Sequence, residues 1–298
     1  MRLKTCAEIQ IRDPFVLPDA SVGVYYLFGS TDADIWGPGT GFDAYTSRDL
    51  IHWEGPFPVF RPSPDFFSDT NFWAPEVYAY EGRYIMFATF RRKDNGRLGT
   101  AVLAAAQPLG PYKLHSGGPV TPEAWSSLDG TLYLEEQKEP WMVFCHEWQQ
   151  VRDGEICAMR LNHELTRGVG EPKLLFRASE APWTTPYESP RYPGQNYVTD
   201  GPFLHTGNSG RLYMLWAGFV NNRYALGAAW SESGSVLGPW KQNERPLYSD
   251  DGGHGMLFRT FDGRLMLALH APNRTPLERP IFLEAEEREE GLVVTGRT

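Results

Sequence analysis

Residues 199–218, TDGPFLHTGNSGRLYMLWAG, contain the pattern that recurs along the whole chain. The stretch begins with Asp200 before Gly-Pro, continues as a short apolar strand, turns at polar residues and Gly210, and returns as an alternating apolar strand over 212–216. Two such runs joined by a short turn containing glycine are typical of a β-hairpin. We therefore predict a hairpin that opens with an acid.

The same pattern occurs four more times. The other openings are Asp13-Pro14-Phe15-Val16, Ala74-Pro75-Glu76-Val77, Asp129-Gly130-Thr131-Leu132 and His254-Gly255-Met256-Leu257. Neighbouring openings lie 54 to 71 residues apart, and propeller repeats run to about 40–50 residues, with insertions in loops on one face. In this alignment the acid or its substitute has the same position in every copy. The pattern predicts an all-β fold, a five-bladed β-propeller with four-stranded blades.

Composition limits what this propeller can do. The chain has 298 residues, 41% of them hydrophobic, and no break in composition, so we predict one domain over residues 1–298. A net charge of −9 argues against a nucleic-acid partner. Three cysteines without a CxxC motif indicate neither a disulfide framework nor a zinc site. No apolar run is long enough to span a membrane, and the N-terminus lacks a signal-like apolar segment, which predicts a cytoplasmic protein without membrane contact.

Four carboxylates are expected on one rim of the propeller. Asp13, Asp129 and Asp200 stand at blade openings, and Glu147 follows the second strand of the third copy. The first residues of the inner strands converge on the propeller axis, and the end of the second strand returns to the same face. For Asp13, which precedes a proline that interrupts its strand, the structural alternative is a side chain that merely supports a turn.

The repeated pieces resemble glycoside hydrolase family 43, whose members are five-bladed propellers, over almost the whole chain. The matching pieces are Arg12-Asp13-Pro14, Trp73-Ala74-Pro75-Glu76, Leu128-Asp129-Gly130, Asp200-Gly201-Pro202 and Gly253-His254-Gly255. Each piece is weak alone, but their order at successive blade starts is specific. The resemblance implies an inverting glycosidase that releases terminal α-L-arabinofuranosides, β-xylosides or β-galactofuranosides from small oligosaccharides.

The resemblance also implies roles for single residues. Asp13 would be the general base, and Asp129 would raise the pKa of the acid and orient it. His254 would lie under the sugar site in the axial channel, where a calcium ion can bind; no cofactor is otherwise required. The family usually has Glu before Gly-Pro as general acid, whereas this chain has Asp200.

The identity of the general acid therefore stays open. An inverting enzyme needs a base and an acid about 6.5–9.5 Å apart to admit a water molecule, and a third carboxylate nearby raises the pKa of the acid. The side chain of Asp200 is one methylene shorter than that of Glu, so it stops about 1.5 Å short on an unchanged backbone. Glu147 is the second candidate for the acid, and Glu188 the third.

Substrate contacts are expected from Trp73, Trp36, His254 and Arg279. Trp125, Trp148 and Trp183 are further candidates for stacking on a sugar ring, although packing between blades is the alternative for any single Trp. The alternative function is that of a sugar-binding propeller with impaired catalysis: the presence of Asp13 and Asp129 argues against it, while Asp200 leaves it open. A protein-interaction propeller of the WD type would need its own repeat signature, and the WD dipeptide is absent.

Overall fold

The computed structural model describes residues 2–135 and 139–297, with side chains to residue 296. Within those ranges the chain forms five sheets, each of four antiparallel strands that follow one another in sequence. This confirms the predicted five-bladed propeller with four-stranded blades. Blade one comprises β1 (Arg12–Asp19), β2 (Val24–Ser30), β3 (Phe42–Ser47) and β4 (Trp53–Phe60).

The other blades follow the same order from the axis outward. Blade two comprises β5 (Ser68–Tyr80), β6 (Arg83–Arg92), β7 (Leu98–Ala105) and β8 (Lys113–Pro119). Blade three comprises β9 (Ser127–Leu134), β10 (Pro140–His146), β11 (Glu155–Leu161) and β12 (Gly168–Arg177). Blade four comprises β13 (Asp200–Thr206), β14 (Leu212–Val220), β15 (Arg223–Ser231) and β16 (Trp240–Gln242). Blade five comprises β17 (Gly253–Arg259), β18 (Leu265–Ala271), β19 (Arg279–Arg288) and β20 (Gly291–Arg297).

Helical structure is sparse in the described ranges. It consists of one short α-helix, α1 (Trp148–Val151), and the 3₁₀ turns Cys6–Glu8 and Ala178–Glu180. None of these is long and apolar enough to cross a membrane.

The core lies between neighbouring blades. Second strands are covered on both faces, so β10 and β18 are buried at every position and appear in the sequence as continuous apolar runs. The outer strand β12 is mostly exposed or half-buried. Between blades one and two lies a cluster of phenylalanine rings with centroids 4.9 to 6.1 Å apart, formed by Phe42, Phe60, Phe66, Phe72 and Phe90.

The innermost strands β1, β5, β9, β13 and β17 contact one another in turn, and the contact of β17 with β1 closes the ring. Each of them has a β-bulge near its start, where the pairing with the second strand shifts register. One residue in each bulge has a left-handed backbone, with φ between 47° and 56°. We call these residues the bulge ring: Asp13, Ala74, Asp129, Gly201 and His254.

The bulge ring corrects one prediction from the repeats. Asp200 does not have the same position as Asp13 and Asp129, because the ring position in blade four belongs to Gly201. A Cβ atom on Gly201 would lie 2.5 Å from Cγ of His254, so the imidazole leaves no room for a side chain here. The acid of blade four is therefore displaced by one residue toward the N-terminus.

Side chains at the ends of second strands connect the bulges of neighbouring blades. Ser30 Oγ accepts a hydrogen bond from the N–H of Ala74, Thr89 Oγ1 accepts from Asp129, and His270 Nδ1 accepts from Asp13. The donor–acceptor distances are 2.9, 2.8 and 3.1 Å. Each bond joins the second strand of one blade to the inner strand of the next, which fixes the ring residues relative to each other.

Candidate active site

A cleft of about 850 Å³ opens beside the bulge ring. The predicted acids Asp13, Asp129, Asp200 and Glu147 all line it, and so do Trp36 and Trp73. The structure thus brings together four carboxylates that are far apart in the sequence. Three of them belong to inner strands, and Glu147 lies just after β10.

His254 does not line the cleft but is buried against its acids. Its Nδ1 atom lies 3.2 Å from Asp13 Oδ1, 3.7 Å from Asp129 Oδ2 and 3.7 Å from Asp200 Oδ1. The Oδ1 atoms of Asp13 and Asp200 are therefore at most 6.9 Å apart, the sum of their distances to this nitrogen. One imidazole joins all three aspartates into a single electrostatic unit.

The charges of this cluster are strongly coupled. Burial disfavours a charged imidazole, but the neighbouring carboxylates of Asp13, Asp129 and Asp200 outweigh it and raise the pKa of His254 to about 10. Burial, followed by the negative charge of Asp200, raises the pKa of Asp129 well above its ordinary value. At neutral pH His254 is therefore protonated, and the raised pKa of Asp129 favours the protonated form of that carboxyl group.

Asp200 is held ionised. Burial alone would raise the pKa of its carboxyl group, but hydrogen bonding with Asp129 and His254 and the positive charges of His254 and Arg12 hold that pKa well below its usual range. The hydroxyl of Tyr224 donates a further hydrogen bond of 2.6 Å to Asp200 Oδ2. Because burial and the charge of Asp200 raise the pKa of Tyr224, this hydroxyl keeps its proton.

Asp13 has a different set of partners. Ser30 Oγ donates to its Oδ2 atom at 2.7 Å, and Nε of Arg12 lies 3.4 Å from its Oδ1 atom. The Asp13 and Arg12 side chains are only 4% and 11% exposed, so this ion pair is shielded from water. A carboxylate fixed in this way, on the lining of a cleft, is suited to receive a proton from a bound water molecule.

Glu147 forms the N-cap of α1. Its Oε1 atom accepts a hydrogen bond of 3.2 Å from the N–H of Gln149. Burial, opposed by this hydrogen bond and aided by the charge of Asp200, raises the pKa of Glu147 to about 7. Unlike Asp200, Glu147 is therefore partly protonated near neutral pH.

Aromatic side chains flank the carboxylates. Trp36 and Trp73 pack edge to face with centroids 5.1 Å apart, and Trp73 Nε1 donates to the carbonyl of Ile35 at 2.6 Å. Trp36 is 59% exposed and leaves a ring face open to solvent. Trp148 lines another part of the cleft and packs against Tyr187 and Tyr192.

Two further tryptophan candidates lie elsewhere. Trp125 stacks on His146 at 4.0 Å, and Trp183 packs against Trp216 in the core. Neither lines the cleft.

The structure places Arg279, which was predicted to contact substrate, outside the cleft lining. Its guanidinium donates to the backbone carbonyls of Ala7, Pro276 and Glu278. Glu188, the third candidate acid, is exposed and also lies outside the cleft lining.

Sequence reasoning missed Arg12 and Tyr224 as site residues. The guanidinium of Arg12 lies 5.8 Å from the ring centroids of both Trp36 and Tyr224, within range of cation–π contact. Arg12 directly precedes Asp13, so its place in the Arg-Asp-Pro piece was an available signal. Tyr224 is the second residue of β15, the third strand of its blade, and nothing in its local sequence marks it.

The side chains around His254 match poorly the ligand set of the calcium ion that the resemblance allows there. Asp129, Asp200 and His254 offer ligand atoms within 4.8 Å of one another, but Ca²⁺ prefers six to eight oxygen ligands. The Nδ1 atom of His254 lies within 4.0 Å of all three carboxylates, an arrangement that suits a protonated imidazole.

Comparisons with known proteins identify the family of this chain. The sequence model of "Glycosyl hydrolases family 43" matches residues 6–292. The endo-arabinase from Bacteroides thetaiotaomicron has 39% sequence identity and a TM-score of 0.89, with 97% of this chain and 99% of that chain covered. The α-L-arabinofuranosidase from Lactobacillus brevis has 19% sequence identity and a TM-score of 0.74, with 98% of this chain and 95% of that chain covered, and it shares the fold. The chain therefore belongs to glycosyl hydrolase family 43 and is a glycoside hydrolase.

Proposed function

We propose that this glycoside hydrolase cleaves α-L-arabinofuranosidic bonds of short arabino-oligosaccharides, releasing terminal sugars with inversion at the anomeric carbon. This proposal rests on four acids that line one cleft, three of which surround His254. The choice of sugar is supported by the 39% identity to a protein described as an endo-arabinase. β-Xylosides and β-galactofuranosides are the alternative substrates that the test must separate.

In the proposed reaction Asp13 is the general base. Its carboxylate accepts a proton from a water molecule as the water oxygen bonds to the anomeric carbon, while a carboxylic acid on the opposite side protonates the departing glycosidic oxygen. One water molecule is consumed, and the proton that Asp13 gains returns through solvent to the acid. The sugar ring would be held by the aromatic side chains Trp73 and Trp36 and by polar groups such as Arg12.

The test compares wild type with Asp13→Asn on nitrophenyl α-L-arabinofuranoside, β-xyloside and β-galactofuranoside and on arabino-oligosaccharides. We expect the arabinofuranoside to be hydrolysed, and the substitution to lower kcat by about 10²- to 10⁴-fold because the base is lost. Proton NMR of the first product should show the inverted anomer. Product sizes from the oligosaccharides separate terminal release from internal cleavage.

The outcomes are distinct for each part of the proposal. A retained anomer, or full activity of Asp13→Asn, contradicts the mechanism. Hydrolysis of xyloside or galactofuranoside in place of arabinofuranoside contradicts the sugar but not the mechanism.

A further inference from the structure

We propose that Glu147 is the proton donor of this enzyme, and that Asp200 serves as a fixed negative charge beside it. This inference rests on the proposed two-carboxylate hydrolysis. It assigns the acid to a residue after the second strand of blade three, and not to the residue before Gly-Pro in blade four.

The contacts of Asp200 are those of a permanent carboxylate. It accepts a hydrogen bond of 2.6 Å from Tyr224, and His254 Nδ1 lies 3.7 Å away. The Oδ1 atom of Asp200 is also at most 6.9 Å from that of Asp13, the sum of their distances to His254 Nδ1. For these two atoms the limit lies at the lower end of the separation of about 6.5–9.5 Å that an inverting acid–base pair needs for its water. These fixed partners stabilise the ionised form of Asp200, whereas a general acid must be protonated again in each turnover.

Glu147 is the cleft acid outside this cluster. Asp13, Asp129 and Asp200 each have a carboxylate oxygen within 4.0 Å of His254 Nδ1. The carboxylate of Glu147 has no such ion pair: within residues 2–135 and 139–296, no Arg, Lys or His nitrogen lies within 4.0 Å of it. The side chain is buried and lines the cleft. Asp200 and Arg91 are the charged groups that act on it, with opposite effects on its pKa.

The two acids then have complementary functions. Protonated Glu147 gives its proton to the glycosidic oxygen as the bond to the anomeric carbon breaks, and water supplies the hydroxyl of the released sugar. The negative charge of Asp200 helps to keep the next proton on Glu147, because a like charge raises the pKa of a neighbouring acid. Asp200 is thus a positioning residue that acts through Glu147.

The first test uses leaving groups of different quality. We expect Glu147→Gln to lower kcat on arabino-oligosaccharides by about 10²- to 10⁴-fold, and to lower kcat on the dinitrophenyl glycoside less than about tenfold, because dinitrophenolate leaves without a proton. Asp200→Asn keeps the proton donor, so at a pH low enough to keep Glu147 protonated in both proteins it should lower kcat by similar factors on both substrates. Glu188→Gln, an exposed acid outside the cleft, is the matched control and should behave as wild type.

The pH dependence of kcat is the second readout. In wild type, activity on oligosaccharides should fall as pH rises through about 7, where Glu147 loses its proton. This alkaline limb should move to lower pH in Asp200→Asn, and should be absent from the residual activity of Glu147→Gln on the same oligosaccharides. Glu147→Asp keeps a carboxyl group and should retain the limb with lower kcat, which separates loss of the acid from misfolding.

The opposite pattern overturns the inference. If Asp200→Asn shows the leaving-group dependence and loses the alkaline limb, or if Glu147→Gln slows all substrates equally while remaining folded, Glu147 is not the donor. Both results leave the hydrolase mechanism intact. A wild type that gives the retained anomer overturns the proposed mechanism, and this inference with it.

Discussion

Gly201 shows how a residue without a side chain determines the chemistry around it. Its left-handed backbone has the bulge-ring position in blade four, with φ at 48°, and its missing Cβ leaves space for the His254 ring. As a result the acid of this blade comes one residue earlier, where Asp200 reaches the hydroxyl of Tyr224. The Gly-Pro sequence thus matters for the site because it makes room for the imidazole.

We therefore predict that Gly201→Ala disturbs the site as well as the backbone. The new Cβ would overlap the imidazole, which should cost about 1–3 kcal/mol of unfolding free energy through overpacking and lower kcat by at least about tenfold, or about 1.4 kcal/mol of barrier. The measurements are thermal unfolding and kcat on the arabinofuranoside.

Gly210→Ala is the matched control for this substitution. Gly210 also has a positive φ of 79°, but no atom lies within 4 Å of the place where its Cβ would be. It should lose some stability from backbone strain and keep its kcat. Equal kcat losses in the two variants would show that contact with His254 is not the cause.

Single residues of the site were predictable to different degrees. Asp13 and Asp129 stand at the start of a repeated strand pattern, so their place at the axis followed from the fold. Arg12 and Tyr224 were not predicted as site residues, whereas Arg279 was predicted there and lies outside the cleft lining. The position of a guanidinium is hard to predict because it reaches several ångströms from its backbone. Whether it points to a carbonyl or to a cleft depends on neighbouring blades that the local sequence does not describe.

At the scale of elements, the second strands determine where the bulges lie. Ser30, Thr89 and His270 each accept the N–H of a bulge-ring residue in the next blade. The buried N–H groups at these bulges are not used in the ladder of their own blade, so they need such partners. The geometry of the acids is therefore maintained by polar side chains that lie on different strands from the acids.

We predict that Thr89→Val destabilises the propeller although it conserves shape. The substitution leaves the buried N–H of Asp129 without its 2.8 Å acceptor, and such a loss costs about 1–3 kcal/mol. Tm should fall by about 2–6 °C, since about 1 kcal/mol corresponds to a few degrees in a chain of this size.

Thr206→Val is the matched control, because Thr206 is an exposed residue of β13. Its Tm should change by no more than about 1 °C, as expected for surface substitutions within about 0.5 kcal/mol. An unchanged Tm for Thr89→Val would mean that the N–H of Asp129 finds another acceptor.

The elements were more predictable than their exact register. Glycine-rich turns between apolar runs indicated five copies of the blade, and the structure has five. The one-residue displacement at Asp200 was not apparent, because a bulge adds a residue without changing the apolar pattern on either side. The sequence repeats align Asp200 with Asp13 and Asp129, whereas the backbone conformation aligns Gly201 with them.

At the scale of the whole molecule, ring closure depends on side chains. Every blade is made of four consecutive strands, so no strand from one end of the chain completes a blade at the other end. Blades five and one are instead connected by the buried Glu278, whose Oε1 atom accepts a 2.6 Å hydrogen bond from Thr275 and lies 3.6 Å from Nη1 of Arg12. The carbonyl of Glu278 also accepts from the N–H of Ile11 at 3.4 Å.

We predict that Glu278→Gln weakens both ring closure and catalysis. The amide can still accept from Thr275 but leaves Arg12 with less compensation for its buried charge. Removal of one partner of a fully buried pair costs about 3–5 kcal/mol. Arg12 keeps Asp13 and Asn273 as partners, so we expect about 1–2 kcal/mol and a fall in Tm of about 2–6 °C.

The control is Asp250→Asn, which removes an exposed pair with Arg223 whose side chains are 70% and 60% accessible. Such surface pairs contribute about 0–1 kcal/mol, so Tm should hardly change. Because Arg12 lines the cleft next to Asp13, Glu278→Gln should also lower kcat, whereas Asp250→Asn should not. If both variants melt like wild type, the contact between blades one and five owes its strength to apolar packing of β1 against β17, and the buried charges of Arg12 and Glu278 serve the cleft alone.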